Sequence, residues 1–511
     1  MRKIVKLLAA VCALAQAGSA SAEWHKASSK HFVIYADKSP EDLRTFATKL
    51  EEFNAAVREA RGIQDVPPGT STRVTLYVLP SLKALQKLGG EGVAGFYMAK
   101  MSGPVAFIPA TVEKGRNSQW DMSSEGVFFH EYTHHLMLED SDVPMPTWVS
   151  EGSAEFFATP KFNEDGSVTI GTPPFWRAEE LYSIEGLPIE TIVGGDYEYL
   201  TSMEFGSIYG RGWLLIHYLA FNPARQGQLV AYLDAIRAGT PAKDAAQKAF
   251  GDLKVLDREL AAYFKSKSFA TATIPASKLS VPPISIVKLS DPEAELMDAR
   301  IKLAKGGDDI ITGPLARKAK AIAEANPNDS DLLVFASQAA SADEDHDAAL
   351  ALAARALTIN PRSYEAQVAK AKAMFGLAVK SPTTAKWDAV RTELSLANRL
   401  DPESAEPLVL FYRTFEQQRI PATKNALDGL AYAVTLAPQN TKVRIELVSS
   451  LIASNRWADA RTALEPVAYS PHRGKWRDKL TALLNSIIAR DPAKATADLA
   501  AVEKFTRDWE E

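Results

Sequence analysis

The sequence predicts an α+β domain, a mixed sheet joined to a helical portion, followed by an all-α domain of helical repeats. Three observations carry this. Short β-branched and aromatic runs alternate with a helical pattern over residues 24–109, helical periodicity dominates 123–269, and helical segments ending at a proline recur at near-constant spacing after residue 292. The 511 residues exceed what one hydrophobic core organises, and about 150 residues per domain suggests three units.

Composition sets the broad class. Hydrophobic residues at 46% and charged residues at 24% are ordinary globular values, which excludes collagen-like, disulfide-scaffold and wholly disordered chains. Lys and Arg total 58 against 63 Asp and Glu, with no long basic run in the body of the chain, so the footprint of a nucleic-acid binder is missing.

Residues 1–22 read as a signal peptide: Arg2, Lys3 and Lys6 form a basic head, an apolar stretch runs to about Ala17, and Ala20-Ser21-Ala22 has the small-x-small form of a cleavage site. The apolar stretch falls short of the roughly 20 residues that span a bilayer. The mature protein is therefore expected to begin at Glu23, to be periplasmic or secreted, and to have no stable membrane insertion. Cys12, the single cysteine, leaves with the leader, so disulfides and thiol chemistry are excluded.

Residues 23–112 form the α/β N-terminal portion. His31–Tyr35 and Arg73–Leu79 have strand composition, and between them Ser39-Pro40-Glu41-Asp42 opens a helix whose apolar face runs through Phe46, Leu50, Phe53 and Val57. Ala94–Met98 and Val105–Ile108 flank Ser102-Gly103-Pro104 and predict a hairpin or a pair of neighbouring strands. Residues 113–270 form the helical portion. Pro275, Pro282, Pro283 and Pro292 mark residues 271–292 as an extended linker.

Residues 293–511 carry the repeats. Asn326-Pro327, Asn360-Pro361, Asp401-Pro402 and Ala437-Pro438 each follow an Ala/Leu-rich helical segment, their prolines spaced by 34, 41 and 36 residues. Ala356, Ala397 and Ala433 each stand five residues before a proline, where close helix packing calls for a small side chain. The period is near that of tetratricopeptide helix pairs, and such an array offers a surface for a protein partner.

The chemistry concentrates in His130-Glu131-Tyr132-Thr133-His134, an H-E-x-x-H motif in an apolar helical pattern that Ser123-Ser124-Glu125 can cap. Residues four apart project only about 40° apart on a helix, so the imidazoles of His130 and His134 can share one metal ion, with Glu131 beside them. Downstream, Trp148-Val149-Ser150-Glu151-Gly152-Ser153-Ala154-Glu155 reads as a second helix beginning at Glu151, with Glu155 one turn later on the same face. A third, carboxylate ligand would leave one zinc position open, as in a catalytic site.

With these two motifs in order, residues 130–157 resemble the gluzincin metallopeptidases of the peptidase MA-like group, whose second motif reads W-x-x-E-G-x-A-E. The resemblance implies a zincin-like domain in which His130, His134 and Glu151 bind Zn2+, Glu131 is general base and then general acid, and Glu155 orients a ligand histidine. It implies a peptide or protein substrate. The family's G-x-M-E-N motif for free N-termini is absent. Tyr209, expected to open a later helix, is the candidate oxyanion donor, with Tyr197, Tyr199 and His217 weaker candidates, and Arg211 reads as a solvated or structural arginine that could otherwise bind a substrate carboxylate. A helical-repeat scaffold with a vestigial or structural zinc site, and a zinc hydrolase of non-peptide amides, remain alternative readings.

Overall fold

The computed structural model describes residues 23–506 apart from 67, 70–72, 92, 111–121, 140–144, 178–180, 182–186, 196, 198–199, 307–312, 439 and 470–475. The expected signal peptide and Tyr199 lie outside the described residues. Among them, no helix is long and apolar enough to cross a membrane.

A six-stranded mixed sheet organises the N-terminal part. Its strands are β1 (Trp24–Ser28), β2 (Phe32–Asp37), β3 (Val74–Leu79), β4 (Phe96–Met98), β5 (Val105–Pro109) and β9 (Ser285–Lys288), in the order β4-β5-β3-β2-β1-β9. The central β2, β3 and β5 run parallel, and β4, β1 and β9 are antiparallel to their neighbours. Parallel strands need a crossover, and α1 (Pro40–Arg61) supplies the first. Ser39 accepts from the Asp42 amide, Glu41 and Asp42 face the positive end of the helix dipole, and Gly62 ends the helix at φ 68°. The second crossover contains α2 (Leu82–Gly89), capped by Ser81.

Strand side chains alternate between two apolar layers. Phe32, Ile34, Leu76 and Ile108 face a core shared with α1, α3 (Ser124–Glu139) and α4 (Thr147–Phe157). Val33, Tyr35, Tyr77 and Phe107 face the opposite layer with Leu85, Met297 and Ile301. The first core also takes in the Ser202–Phe221 helix and the three after it, so the expected 23–112 and 113–270 portions share one interior.

Residues 271–292 differ from the expected connector. Ala272–Ile274 forms β8, which completes a small sheet with β6 (Lys161–Phe162) and β7 (Val168–Ile170), and β9 closes the large sheet beside β1. Pro275, Pro282 and Pro283 fall between these strands and Pro292 in the first turn of the Asp291–Glu295 helix, and β9 is an edge strand, where a neighbouring proline costs no ladder hydrogen bond.

From Met297 to Thr506 the described chain is all helical, and from Gly313 onward each helix packs on the next. The three period-marking alanines, Ala356, Ala397 and Ala433, have no exposed surface. The helices before Asn360, Asp401 and Ala437 stop at the residue preceding each of these positions, as helices stop ahead of a proline.

Candidate metal centre

Helix α3 begins where Ser123 Oγ accepts from the Gly126 amide at 2.9 Å. It is buried almost all round: Phe128, Phe129, Tyr132, Leu136 and Met137 pack into the interior, and the His130/His134 face meets α4. Helix α4 is buried over its whole length. It starts at Thr147, one turn before the expected start, so Glu151 lies in its second turn and Glu155 one turn beyond.

This crossing brings three ligand atoms together. Glu151 Oε2 lies 3.2 Å from His130 Nε2 and 3.5 Å from His134 Nε2, and the two Nε2 atoms are 3.2 Å apart. Ligand atoms about 2.0–2.1 Å from a tetrahedral zinc ion stand about 3.3–3.4 Å from one another. The triangle therefore has the edge length of one face of such a site, and the set of two imidazoles and a carboxylate suits zinc. His130, His134 and Glu151 could thus hold a metal ion.

Each imidazole is aimed by its other nitrogen. His130 Nδ1 lies 3.3 Å from Glu155 Oε1, and His134 Nδ1 lies 3.0 Å from Ser150 Oγ. A proton on Nδ1 of His130, held toward the Glu155 carboxylate, leaves Nε2 free to bind a cation. Glu155 is itself fixed: Trp176 Nε1 donates to Oε2 at 2.9 Å, and Arg177 donates to Oε1 through Nε at 2.9 Å and Nη2 at 2.7 Å. Burial by itself would raise the Glu155 carboxyl, but His130 and Arg177 outweigh it and hold it below the ordinary value. Burial likewise opposes charge on His130, yet the carboxylates of Glu151 and Glu155 push it up to about 10. The centre thus attracts positive charge, as a cation site must.

Tyr209 belongs to the same constellation. It sits within the Ser202–Phe221 helix rather than opening it, because the helix starts earlier at a capping box of Thr201 and Glu204. Its ring stacks on His130 with centroids 6.2 Å apart, and the Arg177 guanidinium lies 4.5 Å from its centroid on the face of the ring. Burial, then the Glu151 carboxylate, raise the phenol far above its ordinary value, with Glu131 and Glu155 adding to this against Arg177. Tyr209 is therefore a neutral O–H donor. Half-buried Glu131 follows His130 on α3, near enough to act on Tyr209 electrostatically.

The close approach of these helices rests on two glycines. A Cβ at Gly152 would lie 2.4 Å from the carbonyl carbon of Gly212, and one at Gly212 would lie 2.8 Å from the Trp148 carbonyl oxygen. Only bare backbone lets α4 and the Tyr209 helix cross here.

The weaker candidates lie elsewhere. Arg211 pairs with Asp257, and the Tyr197 hydroxyl donates to the Ile192 carbonyl at 2.5 Å. His217 is buried, its Nε2 donating to the carbonyls of Gly171 at 3.0 Å and Ala270 at 2.9 Å while Nδ1 accepts from Tyr263 at 2.9 Å. Ser150, Trp176 and Arg177 were not anticipated. Ser150 adjoins Glu151, a signal that could have been used, whereas Trp176 and Arg177 sit on a short turn (Phe175–Arg177) with no periodic pattern. No family model matches the chain, and no curated protein matches it.

Proposed function

We propose that the protein is an exported zinc metallopeptidase with a zincin-like domain of the gluzincin type. The observation that supports this most is the convergence of His130 Nε2, His134 Nε2 and Glu151 Oε2 to within 3.5 Å of one another, with Glu131 next to the first ligand. A zinc ion held there supplies polarisation of a substrate carbonyl and lowers the pKa of an attacking water.

The remaining work falls to the chain. Glu131 takes the proton from the attacking water and returns it to the departing peptide nitrogen. Tyr209, kept neutral by burial and the Glu151 carboxylate and placed between His130 and Arg177, donates its O–H to the charge that develops on the carbonyl oxygen. Glu155, gripped by Arg177 and Trp176, keeps His130 in one tautomer and orientation.

An extended peptide fits beside β4. That strand is the edge of the large sheet, with no strand paired on its outer side among the described residues, and the Tyr97 hydroxyl lies 2.8 Å from His135 Nδ1 on α3. The test is metal analysis of the mature protein together with digestion of a peptide library with and without chelator. One zinc per chain and chelator-sensitive cleavage are expected. A protein that binds no zinc, or binds it and cleaves nothing, would refute the proposal.

A further inference from the structure

The tip of the β4–β5 hairpin does not end in solvent. The Ala99 carbonyl accepts from Asn440 Nδ2 at 3.0 Å, across 341 residues of sequence. Met101 packs against two buried apolar clusters of the helical part, one containing Val409 and Tyr412 and the other Trp387 and Leu410, and Arg413 Nη1 lies 3.8 Å from its sulfur. Arg413 is held in turn by Glu446 at 2.8 Å. On the other side of the tip, Lys100 Nζ donates to the Lys305 carbonyl at 2.9 Å.

A cavity of about 350 Å³ lies beside the tip, lined among others by Tyr132, His135, Met101 and Pro438, so the seam around the hairpin is not filled by continuous packing. The strand leading into the tip is β4, the edge expected to receive substrate, and at three residues it has little ladder of its own to fix it. Its position is therefore set by Tyr97 on His135 of α3 and by Ala99–Met101 on the helices.

We infer that the helical repeats position the substrate-binding edge of the cleft, with Asn440 and the pocket around Met101 as positioning residues that act through β4 on peptide affinity. This rests on the peptidase reading for its effect on substrate, though the mechanical link does not. The helical face that takes Met101 is a docking surface already filled in cis, and a peptide bound along β4 depends on that filling for main-chain register. Loosening the tip costs affinity in the ground state and the transition state alike, because the same strand hydrogen bonds are made in both.

Two variants test this from opposite sides of the seam. Met101→Ala removes the apolar anchor. Asn440→Asp keeps the oxygen that caps the Thr441–Ala453 helix at the Val443 amide and removes the donor to Ala99. Each should raise KM for peptides about five-fold at unchanged kcat, the scale of one lost hydrogen bond or apolar anchor. Each should also speed hydrogen exchange at β4 amides relative to β2, with zinc content unchanged. KM and β4 exchange both unchanged in the two variants overturn the inference, as does a fall in kcat at constant KM. If Met101→Ala does not fold, Asn440→Asp decides. If the wild-type protein cleaves no peptide, the proposed function fails, and β4 exchange decides this inference alone.

Discussion

Replacing Gly152 with alanine tests how the site is assembled without touching any ligand atom. The added Cβ would lie 2.4 Å from the Gly212 carbonyl carbon and 2.5 Å from its oxygen, where carbon atoms normally meet at about 3.5–4.0 Å. The obstacle is backbone on both sides, so no rotamer change relieves it, and the two helices must separate by about 1 Å. Overpacking of this kind costs roughly 1–3 kcal/mol, and the absence of a flexible neighbour puts Gly152→Ala near about 3 kcal/mol. For a domain of this size that lowers Tm by roughly 6–12 °C. Trp148 and Trp213 flank the crossing with no exposed surface, so tryptophan fluorescence reports its melting directly. The separation also moves Glu151, next to Gly152, away from the helix that carries Tyr209, so zinc should bind more weakly in the folded variant. A melting temperature within about 1 °C of wild type would show that the helices do not meet at these glycines and would refute the reasoning.

Glu131→Gln should retain one zinc per chain and lower kcat/KM by about 10²–10⁴-fold; steady-state kinetics with metal analysis check this, and full activity would remove Glu131 as the base. Glu155→Gln keeps shape but surrenders the charge that faces His130 and Arg177, and should weaken zinc about 10–100-fold in a chelator competition, with an unchanged affinity counting against the orienting role. Burial holds His217 down to about 4, against only partial support from the Gly171 and Ala270 carbonyls. A histidine depressed in the folded state contributes stability that is complete above its unfolded value near 6.5 and is lost as pH falls toward 4, on the order of 3 kcal/mol in all. Urea midpoints at pH 7 and pH 4.5 should therefore differ less for His217→Gln than for wild type, and equal differences would assign the acid loss to other groups.

The parts of this architecture that were legible in the sequence are those written in local periods. The four-residue spacings of His130 with His134 and Glu151 with Glu155 place side chains on one helix face by geometry alone, and the proline register located helix ends that the structure keeps. Gly152 shows why one motif position is small: its missing side chain is filled by the backbone of Gly212, sixty residues away, which no local pattern reports. Trp176 and Arg177 were illegible for the same reason, since they lie on a three-residue turn and acquire meaning only when that turn meets Glu155. The segment 271–292 misled because its prolines suggested a connector, while its strands are so short that only partners far back in the chain, β7 and β1, define them.

The same non-local dependence binds the C-terminal helical region to the sheet. On the face away from the metal centre, Tyr35 and Tyr77 stack at 5.2 Å, Tyr77 and Phe107 at 5.4 Å, and Phe107 and Phe96 at 4.7 Å, forming one row of rings across β2, β3, β5 and β4. A sheet with parallel central strands must be covered on both faces. The cover here includes Met297 and Ile301 from the Met297–Lys305 helix, and Arg300, whose guanidinium lies 5.5 Å from the Tyr35 centroid and 5.0 Å from that of Phe335 in the next part of the helical region. Cutting the chain before Met297 would bare that aromatic row, and cutting at residue 270 would also remove β9 from the edge of β1. Among the described residues the helical region thus meets the sheet at its aromatic face, through Met297, Arg300 and Ile301, and at the hairpin tip, through Lys305, Asn440 and the clusters that take Met101, so a movement of these helices relative to the sheet has a direct route to β4.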